Sequence, residues 1–368
     1  MILEKNFIPK IFLNEIENGS FSWSAPSNIA LVKYWGKKEN QIPANPSISF
    51  TLSKCKTITK LSFEKRHCGK KNETNSEFSF DLLFEGKSKE DFKPKIIKFF
   101  ERIEVYLPFL KQYHFTIETN NTFPHSSGIA SSASGMAALA MNLMSLEKLL
   151  NPSITDEYFY KKGSFLARLG SGSACRSIKG KVVVWGNHTE IFESSDLFGV
   201  EFPTKVHDNF KNYQDTILLV DKGEKQVSST LGHDLMHNHP FAEQRFSQAH
   251  QNLSQIKAVL ENGDLSEFIK IVESEALTLH AMMMTSLPYF ILMKPTTLQI
   301  INAIWKFRNT SKIPVCFTLD ACANVHVLYP ENVIAEVLQF IKVELVGYCE
   351  NGQYICDQIG EGSELIFH

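Results

Sequence analysis

TFPHSSGIASSASGMAALAMNLMSLEKLL, residues 122–150, is the stretch that decides the fold. Just upstream, HFTIETN (114–120) alternates apolar and polar residues as a β-strand does. The stretch itself holds a turn with proline and glycine, a run of serines and an alanine-rich helix predicted over 132–150. Backbone N–H groups at the start of such a helix bind anions, and the helix dipole strengthens the attraction. Strand, loop and helix in this order therefore predict a loop suited to nucleotide phosphates.

Three serine hydroxyls of this loop, those of Ser131, Ser132 and Ser134, are further candidate donors to a phosphate. The loop is not a Walker A motif, because no Gly-Lys-Ser or Gly-Lys-Thr ends it. Serines at the start of a helix are also ordinary caps. On these residues alone, phosphate binding and structural capping are equally open.

The remaining chain mixes strand-like and helical patterns without a regular β-α-β alternation, which indicates an α+β fold. KTITKLSF (56–63) and FSFDLLF (78–84) are predicted strands of a hairpin, joined by a polar loop at 65–77. A length of 368 residues favours two domains, predicted as 1–190 and 191–368. Apolar residues recur at helical spacing in four segments: 89–104, 246–260, 268–279 and 298–305.

The net charge and the lengths of the apolar runs indicate which kinds of binding partner the protein has. Lys and Arg number 38 against 40 Asp and Glu, a net charge of -2, so nothing favours a nucleic-acid partner. No apolar run approaches the roughly 20 residues that cross a bilayer, and acidic residues near the N-terminus are unlike a secretory signal. The seven cysteines form no Cys-x-x-Cys pair, which suits reduced thiols. We therefore expect a cytoplasmic protein that acts on a small molecule and contacts no membrane.

A second chemically informative segment is SAPSNIALVKYWGKKENQIPANPSISFTLS, residues 24–53. Its cations and phenol stand beside a turn glycine, Gly36, and suit a diphosphate and a hydroxyl group. An ordinary solvated turn is the competing interpretation. The polar side chains concerned are Lys33, Tyr34, Lys37 and Lys38.

A third segment, ARLGSGSACRS (167–177), joins a glycine and serine loop to Arg176. Arginine offers a planar fork that matches a carboxylate, and the loop adds backbone and hydroxyl donors. Anion recognition and a plain surface loop are both open. A fourth candidate is Asp320, which ends the apolar run VCFTLD. A buried carboxylate needs donors or a function, although a structural salt bridge also satisfies this need.

Taken together and in this order, the four segments resemble the diphosphomevalonate decarboxylases, which share a superfamily with galactokinase, homoserine kinase, mevalonate kinase and phosphomevalonate kinase. The matching motifs are NIALVKYWGK, FPHSSGIASSASG, GSGSACRS and FTLDACAN, with KQVSSTLGH between the last two. The resemblance implies a two-part α+β small-molecule kinase fold, with an active-site cleft between an N-terminal and a C-terminal half. It also implies a homodimer.

The activity implied by the resemblance belongs to isoprenoid biosynthesis. ATP and Mg²⁺ serve to phosphorylate the 3-hydroxyl of mevalonate 5-diphosphate, and loss of phosphate and CO₂ then gives isopentenyl diphosphate. By the same resemblance Asp320 orients or deprotonates the hydroxyl, and Arg176 grips the substrate carboxylate. Ser131 and Ser132 match catalytic phosphate-loop serines, and Ser132 lies near Mg²⁺.

The resemblance further implies two binding sets. The substrate-binding set is Tyr34, Lys37, Ser171, Gly172, Ser173, Arg176, Ser229 and Gly232. The nucleotide-binding set is Pro124, Gly128, Ser131, Ser132 and Ser134.

Departures from the family pattern occur after Asp320 and in KQVSSTLGH. The family typically reads Ala-Gly-Pro-Asn after the acidic residue, whereas this chain has Cys322 and Ala323 in place of glycine and proline. Since glycine adopts positive φ without strain, we expect strain at Cys322. Some members also carry methionine in place of His233 and arginine in place of Thr230, so diphosphate binding is expected to use other cations.

Three alternatives compete with the decarboxylase. One is a kinase of the same superfamily that acts on mevalonate or mevalonate 5-phosphate, against which the intact GSGSACRS motif argues. Another is a non-catalytic nucleotide-binding paralogue, against which Asp320 and Arg176 argue. The weakest is a zinc site formed by His233, His237 and His239.

Overall fold

A computed structural model describes residues 2–10, 12–67, 77–124, 129–221 and 229–366, without the side chains of Ser229 and Thr230. Its strands are β1 (Asn18–Val32), β2 (Ser47–Lys65), β3 (Ser79–Phe84), β4 (Lys87–Ser88), β5 (Tyr113–Asn121), β6 (Val182–Trp185), β7 (Val200–Glu201), β8 (Gln214–Leu218), β9 (Cys316–Thr318), β10 (Val325–Tyr329), β11 (Tyr354–Gln358) and β12 (Glu364–Leu365). Its α-helices are α1 (Lys93–Ile103), α2 (Ser131–Leu150), α3 (Asp156–Gly170), α4 (Ser229–Asp234), α5 (Ala242–Asn262), α6 (Leu265–Thr285), α7 (Pro295–Ser311) and α8 (Ile334–Phe340).

The larger sheet is built on the two longest strands, β1 and β2. Across the described residues its strands follow the order β12-β1-β2-β5-β3-β4, and β6 and β7 join it through β2. The antiparallel β1–β2 register runs from Asn18↔Glu64 to Val32↔Ile48. Helix α2 packs on this sheet and is buried along most of its length, because its alanines allow the backbone to approach closely.

The smaller sheet, in the order β11-β8-β10-β9, belongs to the second half of the chain. Residues of α5 and α6 share a buried apolar cluster with β8 and with the first half of β2. Residues of α7 and α8 cover β9 and β10 in a separate cluster. The half of the chain that carries the smaller sheet is therefore packed directly against a long strand of the other half.

A buried carboxylate connects the two sheets. Asp357 of β11 is 2% exposed. Its carboxylate accepts hydrogen bonds from the backbone N–H groups of three consecutive β2 residues: Ser53 at 3.0 Å, Lys54 at 2.8 Å and Cys55 at 2.7 Å. Three backbone donors satisfy a charge that would otherwise be costly to bury.

The α+β class predicted from the sequence is confirmed, and the predicted helices over 132–150 and within 89–104 correspond to α2 and α1. No helix among the described residues is long and apolar enough to cross a membrane. The six cysteines within the described part of the chain are free thiols. The large sheet extends to β7, past residue 190, and the domain boundary stays a prediction.

The hairpin predicted from 56–63 and 78–84 is wrong. In the sheet β5 lies between β2 and β3, pairing antiparallel with β2 and parallel with β3. Strand β5 buries Tyr113, Phe115 and Ile117 and so takes the interior position, whereas β3 has Leu82 as its buried residue. Of the predicted loop at 65–77, residues 68–76 lie outside the described residues.

Candidate active site

The centre of the site is an ion pair between the two halves of the chain. Lys33 immediately follows β1, and its ammonium lies 2.9 Å from the carboxylate of Asp320, which follows β9. The Lys33 side chain is 2% exposed and the Asp320 side chain 27% exposed. The Asp320 carboxylate is thus accessible at one side while a buried cation balances its charge.

The backbone at Asp320 is fixed by two donors to its carbonyl oxygen. The Cys322 N–H donates at 2.7 Å, which closes the turn. The His280 ring donates from Nε2 at 3.1 Å, since a carbonyl oxygen can only accept. Cys322 lies within the described residues and does not adopt a positive φ. The strain expected at Cys322 is therefore absent, because this turn does not need a left-handed residue.

Arg176 lies in a buried 3₁₀ turn, Gly172–Ser177, beside the end of β1. Its Nη1 donates to Ser47 Oγ at 2.5 Å, and its Nε donates to Asn28 Oδ1 at 3.3 Å. Burial lowers the pKa of Arg176, while the nearby Cys175 and Asp320 oppose that shift. The guanidinium is thereby held in a fixed orientation, as recognition of a planar carboxylate requires.

Tyr34 presents a buried hydroxyl that has no hydrogen-bond partner among the described residues. Burial is the main cause that raises the pKa of Tyr34, so its phenol is neutral. The ring lies between Trp185, at 4.6 Å, and His233, at 4.2 Å between centroids. A Cβ atom built on Gly172 would stand 3.0 Å from the Tyr34 hydroxyl. Two residues of the predicted substrate set therefore meet, and an unpartnered buried hydroxyl there fits a ligand atom.

The turn after Tyr34 is covered by the short helix α4. The Gly36 N–H donates to His233 Nδ1 at 3.0 Å, and the Lys37 ammonium lies 3.3 Å from Asp234. A Cβ atom on Gly232 would stand 2.5 Å from the Trp35 ring, so close packing requires glycine there. Lys37 and Gly232 of the substrate set are thus neighbours across this contact.

Burial, with smaller contributions from Lys37 and Arg176, lowers the pKa of His233 to about 3. His233 is therefore a neutral packing residue and not a cation for the diphosphate. His239 bonds to the Met282 carbonyl at 3.0 Å. Within the described ranges, no group of three His, Cys, Asp or Glu residues suited to a metal is found, which argues against the zinc alternative.

The serines of the predicted phosphate loop differ in their surroundings. Helix α2 begins after Ala130, which has the left-handed φ of 41°. Ser131 is half-buried and Ser132 is exposed, where its hydroxyl accepts a 2.5 Å hydrogen bond from Lys95 of α1. Ser134 is buried against the sheet, with its hydroxyl 2.6 Å from that of Thr57.

The structure gives less information on the other predicted site residues. Pro124 is exposed, and Ser171 and Ser173 are half-buried beside Gly172. Gly128 and the side chain of Ser229 lie outside the part of the chain that the structure describes.

Strand β1 connects three of these groups. Near its end, Ser27 donates to the Ile129 carbonyl at 2.7 Å, which ties down the chain just before α2. Asn28 accepts from Arg176, and Lys33 pairs with Asp320. Because successive strand residues rise about 3.3 Å, Ser27 and Lys33, to which the predicted phosphate loop and Asp320 are attached, lie roughly 20 Å apart. Lys33 was a candidate in its sequence segment without a predicted partner, and neither Lys95 nor His280 was predicted.

A buried cation, an accessible carboxylate and an unpartnered phenol form a site with the chemistry that an enzyme needs. Two family models match it: the diphosphomevalonate decarboxylase-like N-terminal domain over residues 25–196, and the mevalonate 5-diphosphate decarboxylase C-terminal domain over residues 216–361. The diphosphomevalonate decarboxylase of Candida albicans is 30% identical over 338 residues, which cover 88% of this chain and 87% of the relative. The chain belongs to the diphosphomevalonate decarboxylase family.

Solved structures agree with this assignment. The mevalonate diphosphate decarboxylase of Staphylococcus aureus aligns with a TM-score of 0.78 at 27% identity, covering 95% of this chain and 98% of its own. A solved complex with MVAPP, AMPPCP and magnesium also aligns with a TM-score of 0.78 at 27% identity, covering 95% of this chain and 99% of its own. The predicted family, fold class and enzyme class are thereby confirmed, and the roles of single residues stay predictions.

Proposed function

We propose that this site catalyses the family reaction, the ATP-dependent decarboxylation of mevalonate 5-diphosphate to isopentenyl diphosphate. The observation that carries the proposal is the contact of Lys33 with Asp320, which brings a cation and a carboxylate from opposite ends of the chain to one point. Support also comes from the related complex that contains MVAPP, AMPPCP and magnesium. Phosphoryl transfer relies mainly on positioning and charge neutralisation, and the site offers both.

In this mechanism the Asp320 carboxylate accepts the proton of the substrate's 3-hydroxyl as that oxygen attacks the γ-phosphate of ATP. The Lys33 ammonium stabilises the carboxylate before the transfer and balances charge as it develops. Phosphate then leaves with the electron pair of its C–O bond. The electrons of the bond to the carboxylate form the new C=C bond, and CO₂ departs.

Arg176 is proposed to hold the substrate carboxylate, oriented by its bonds to Ser47 and Asn28. Gly172 leaves room beside the Tyr34 hydroxyl, which is suited to donate to the substrate. Lys37, next to this turn, is proposed to neutralise the diphosphate. A fixed guanidinium beside a small, closely packed loop would set the carboxylate in the orientation that its loss as CO₂ demands.

Nucleotide phosphates are proposed to bind at the N-terminus of α2, with Ser131, Ser132 and the Lys95 ammonium as donors. The Ser132 hydroxyl could supply Mg²⁺ with one oxygen ligand, whereas the Lys95 ammonium beside it could bind only phosphate oxygens. Phosphate oxygens and water would therefore supply most ligands of the ion, as is usual for this cation. When bound, Mg²⁺ would neutralise the phosphates during transfer.

A coupled assay tests the function directly. Purified protein is given ATP, Mg²⁺ and either mevalonate, mevalonate 5-phosphate or mevalonate 5-diphosphate, and ADP and CO₂ are measured together. We expect both products in equal amounts from the diphosphate. ADP without CO₂ would identify a kinase, CO₂ from the monophosphate alone would identify a different decarboxylase, and neither product would indicate a non-catalytic paralogue.

We further propose that the protein works in the cytoplasm as a homodimer. Three apolar side chains that follow α6 are exposed and suit burial by a second copy: Leu287 at 85%, Tyr289 at 74% and Ile291 at 62%. Analytical ultracentrifugation of the protein and of Leu287→Glu tests this. A monomeric wild-type protein would contradict it.

A further inference from the structure

Lys33 is held by a buried network that the mechanism above does not use. The β1–β2 register ends at Val32↔Ile48, so the backbone of Lys33 needs partners outside the sheet. Glu275 of α6 accepts the Lys33 N–H at 2.8 Å. Arg245 of α5 donates from Nη2 to the Lys33 carbonyl at 3.0 Å, and Asn45 donates to the same carbonyl at 2.9 Å.

The two helix residues that hold Lys33 also bind each other. Arg245 makes a bidentate contact with Glu275, at 2.9 Å from Nη1 and 2.5 Å from Nη2, and both side chains are fully buried. Asn252, two turns along α5 on the same helix face, donates to Glu275 at 2.5 Å. Both Glu275 oxygens therefore have two donors each, and the planar Arg–carboxylate geometry permits little movement.

Helix α6 contacts the other member of the catalytic pair as well. His280, on the same helix as Glu275, donates to the Asp320 carbonyl. Burial lowers the pKa of His280 to about 4, so the ring is neutral and its hydrogen bond does not vary near neutral pH. One helix thus fixes the backbone of Lys33 at Glu275 and the backbone of Asp320 at His280.

We propose that Arg245, Glu275, Asn252 and His280 are positioning residues, which set the distance between the Lys33 ammonium and the Asp320 carboxylate. A buried ion pair adds little to stability compared with an apolar pair of equal volume. The hydrogen bonds of the Lys33 backbone with Glu275 and Arg245, in contrast, cannot be made by apolar side chains. A role in positioning and a role in stability are therefore separable. The inference rests on the proposed function of the Lys33–Asp320 pair.

The test compares four variants of the full-length protein by steady-state kinetics and thermal melting. Glu275→Gln removes the charge and keeps the shape. Arg245→Met with Glu275→Leu replaces the pair by apolar side chains, and Asn252→Ala removes one donor from a half-buried position. The matched control is Glu147→Gln, which breaks the Lys162–Glu147 pair of α3 and α2, whose side chains are 0% and 2% exposed.

We expect Glu275→Gln to lower kcat at least tenfold while the KM values for ATP and mevalonate 5-diphosphate change less than threefold. The apolar double variant should recover most of the melting temperature but not kcat. Asn252→Ala should lower kcat about threefold, and Glu147→Gln should lower the melting temperature with kcat unchanged.

A purely structural role predicts a different pattern. Wild-type kcat in the double variant, or an equal fall in kcat in Glu147→Gln, would overturn the proposal. Should Glu275→Gln not fold, the double variant and Asn252→Ala decide in the same way. Absence of ADP and CO₂ from the wild-type protein would contradict the proposed function, whereas wild-type turnover with unaffected variants would contradict the positioning role alone.

Discussion

The Tyr34 hydroxyl lies 3.0 Å from the point where a Cβ atom on Gly172 would stand. The same Cβ atom would stand 2.8 Å from the Trp185 ring. A methyl group at residue 172 would therefore have to displace the phenol, which packs against His233, or the indole of Trp185, which is fully buried.

Gly172→Ala should accordingly lower kcat/KM for mevalonate 5-diphosphate by tenfold or more, equivalent to about 1.4 kcal/mol of transition-state stabilisation. The ATP dependence should change little, since the proposed phosphate loop is a separate element. Gly347→Ala is the control, because no heavy atom lies within 4 Å of its Cβ position. Equal kinetics for the two variants would show that Tyr34 does not contact the substrate.

Asp320→Asn should lower kcat by about three orders of magnitude, since removing a general base typically costs 10²- to 10⁴-fold and a preorganised charge is also lost. ADP and CO₂ formation should fall together, because elimination cannot begin before phosphorylation. Nucleotide binding, measured by calorimetry, should survive. Normal ADP formation with a stable 3-phosphate and no CO₂ would assign Asp320 to elimination instead.

Arg176→Lys should weaken catalysis by roughly 1.5 to 3 kcal/mol, the scale of a hydrogen bond to a charged group. The planar guanidinium of Arg176 donates to Ser47 and Asn28 and still has donors for a carboxylate. A lysine ammonium cannot reproduce this geometry. Kinetics with mevalonate 5-diphosphate give the measurement, and a melting curve separates misfolding from lost recognition. If a folded Arg176→Lys protein shows unchanged kinetics, the carboxylate binds elsewhere.

The pKa of His233, lowered by burial to about 3, predicts a pH dependence of stability. Its unfolded-state pKa is near 6.5, so below that value the unfolded chain binds a proton that the folded chain does not. The stabilising contribution is complete above about pH 6.5. It is lost at about 1.4 kcal/mol per pH unit as the pH falls towards the folded-state pKa.

Urea unfolding of the wild type and of His233→Met between pH 7 and pH 4 measures this contribution, because other titrating groups cancel in the difference. The wild-type free energy of unfolding should fall more steeply with acidification. Parallel curves would mean that His233 is protonated in the folded protein.

The segments that form the site were predictable from the sequence, whereas the contacts that join these segments were not. Asp320 and Arg176 were identified because each lies in a short, recognisable motif. The pairing of Lys33 with Asp320 spans 287 positions, and no local periodicity reports a contact of that range. Glu275 was missed because an amphipathic pattern predicts which apolar residues are buried and not which charged ones. The strain expected at Cys322 was inferred from the family's glycine, whereas the turn here keeps negative φ.

The three backbone hydrogen bonds to Asp357 limit how the enzyme can open. They join β11 to β2 at consecutive residues, so separating the two sheets at that point would break all three bonds. The two sheets are therefore held at a fixed distance from each other around Asp357.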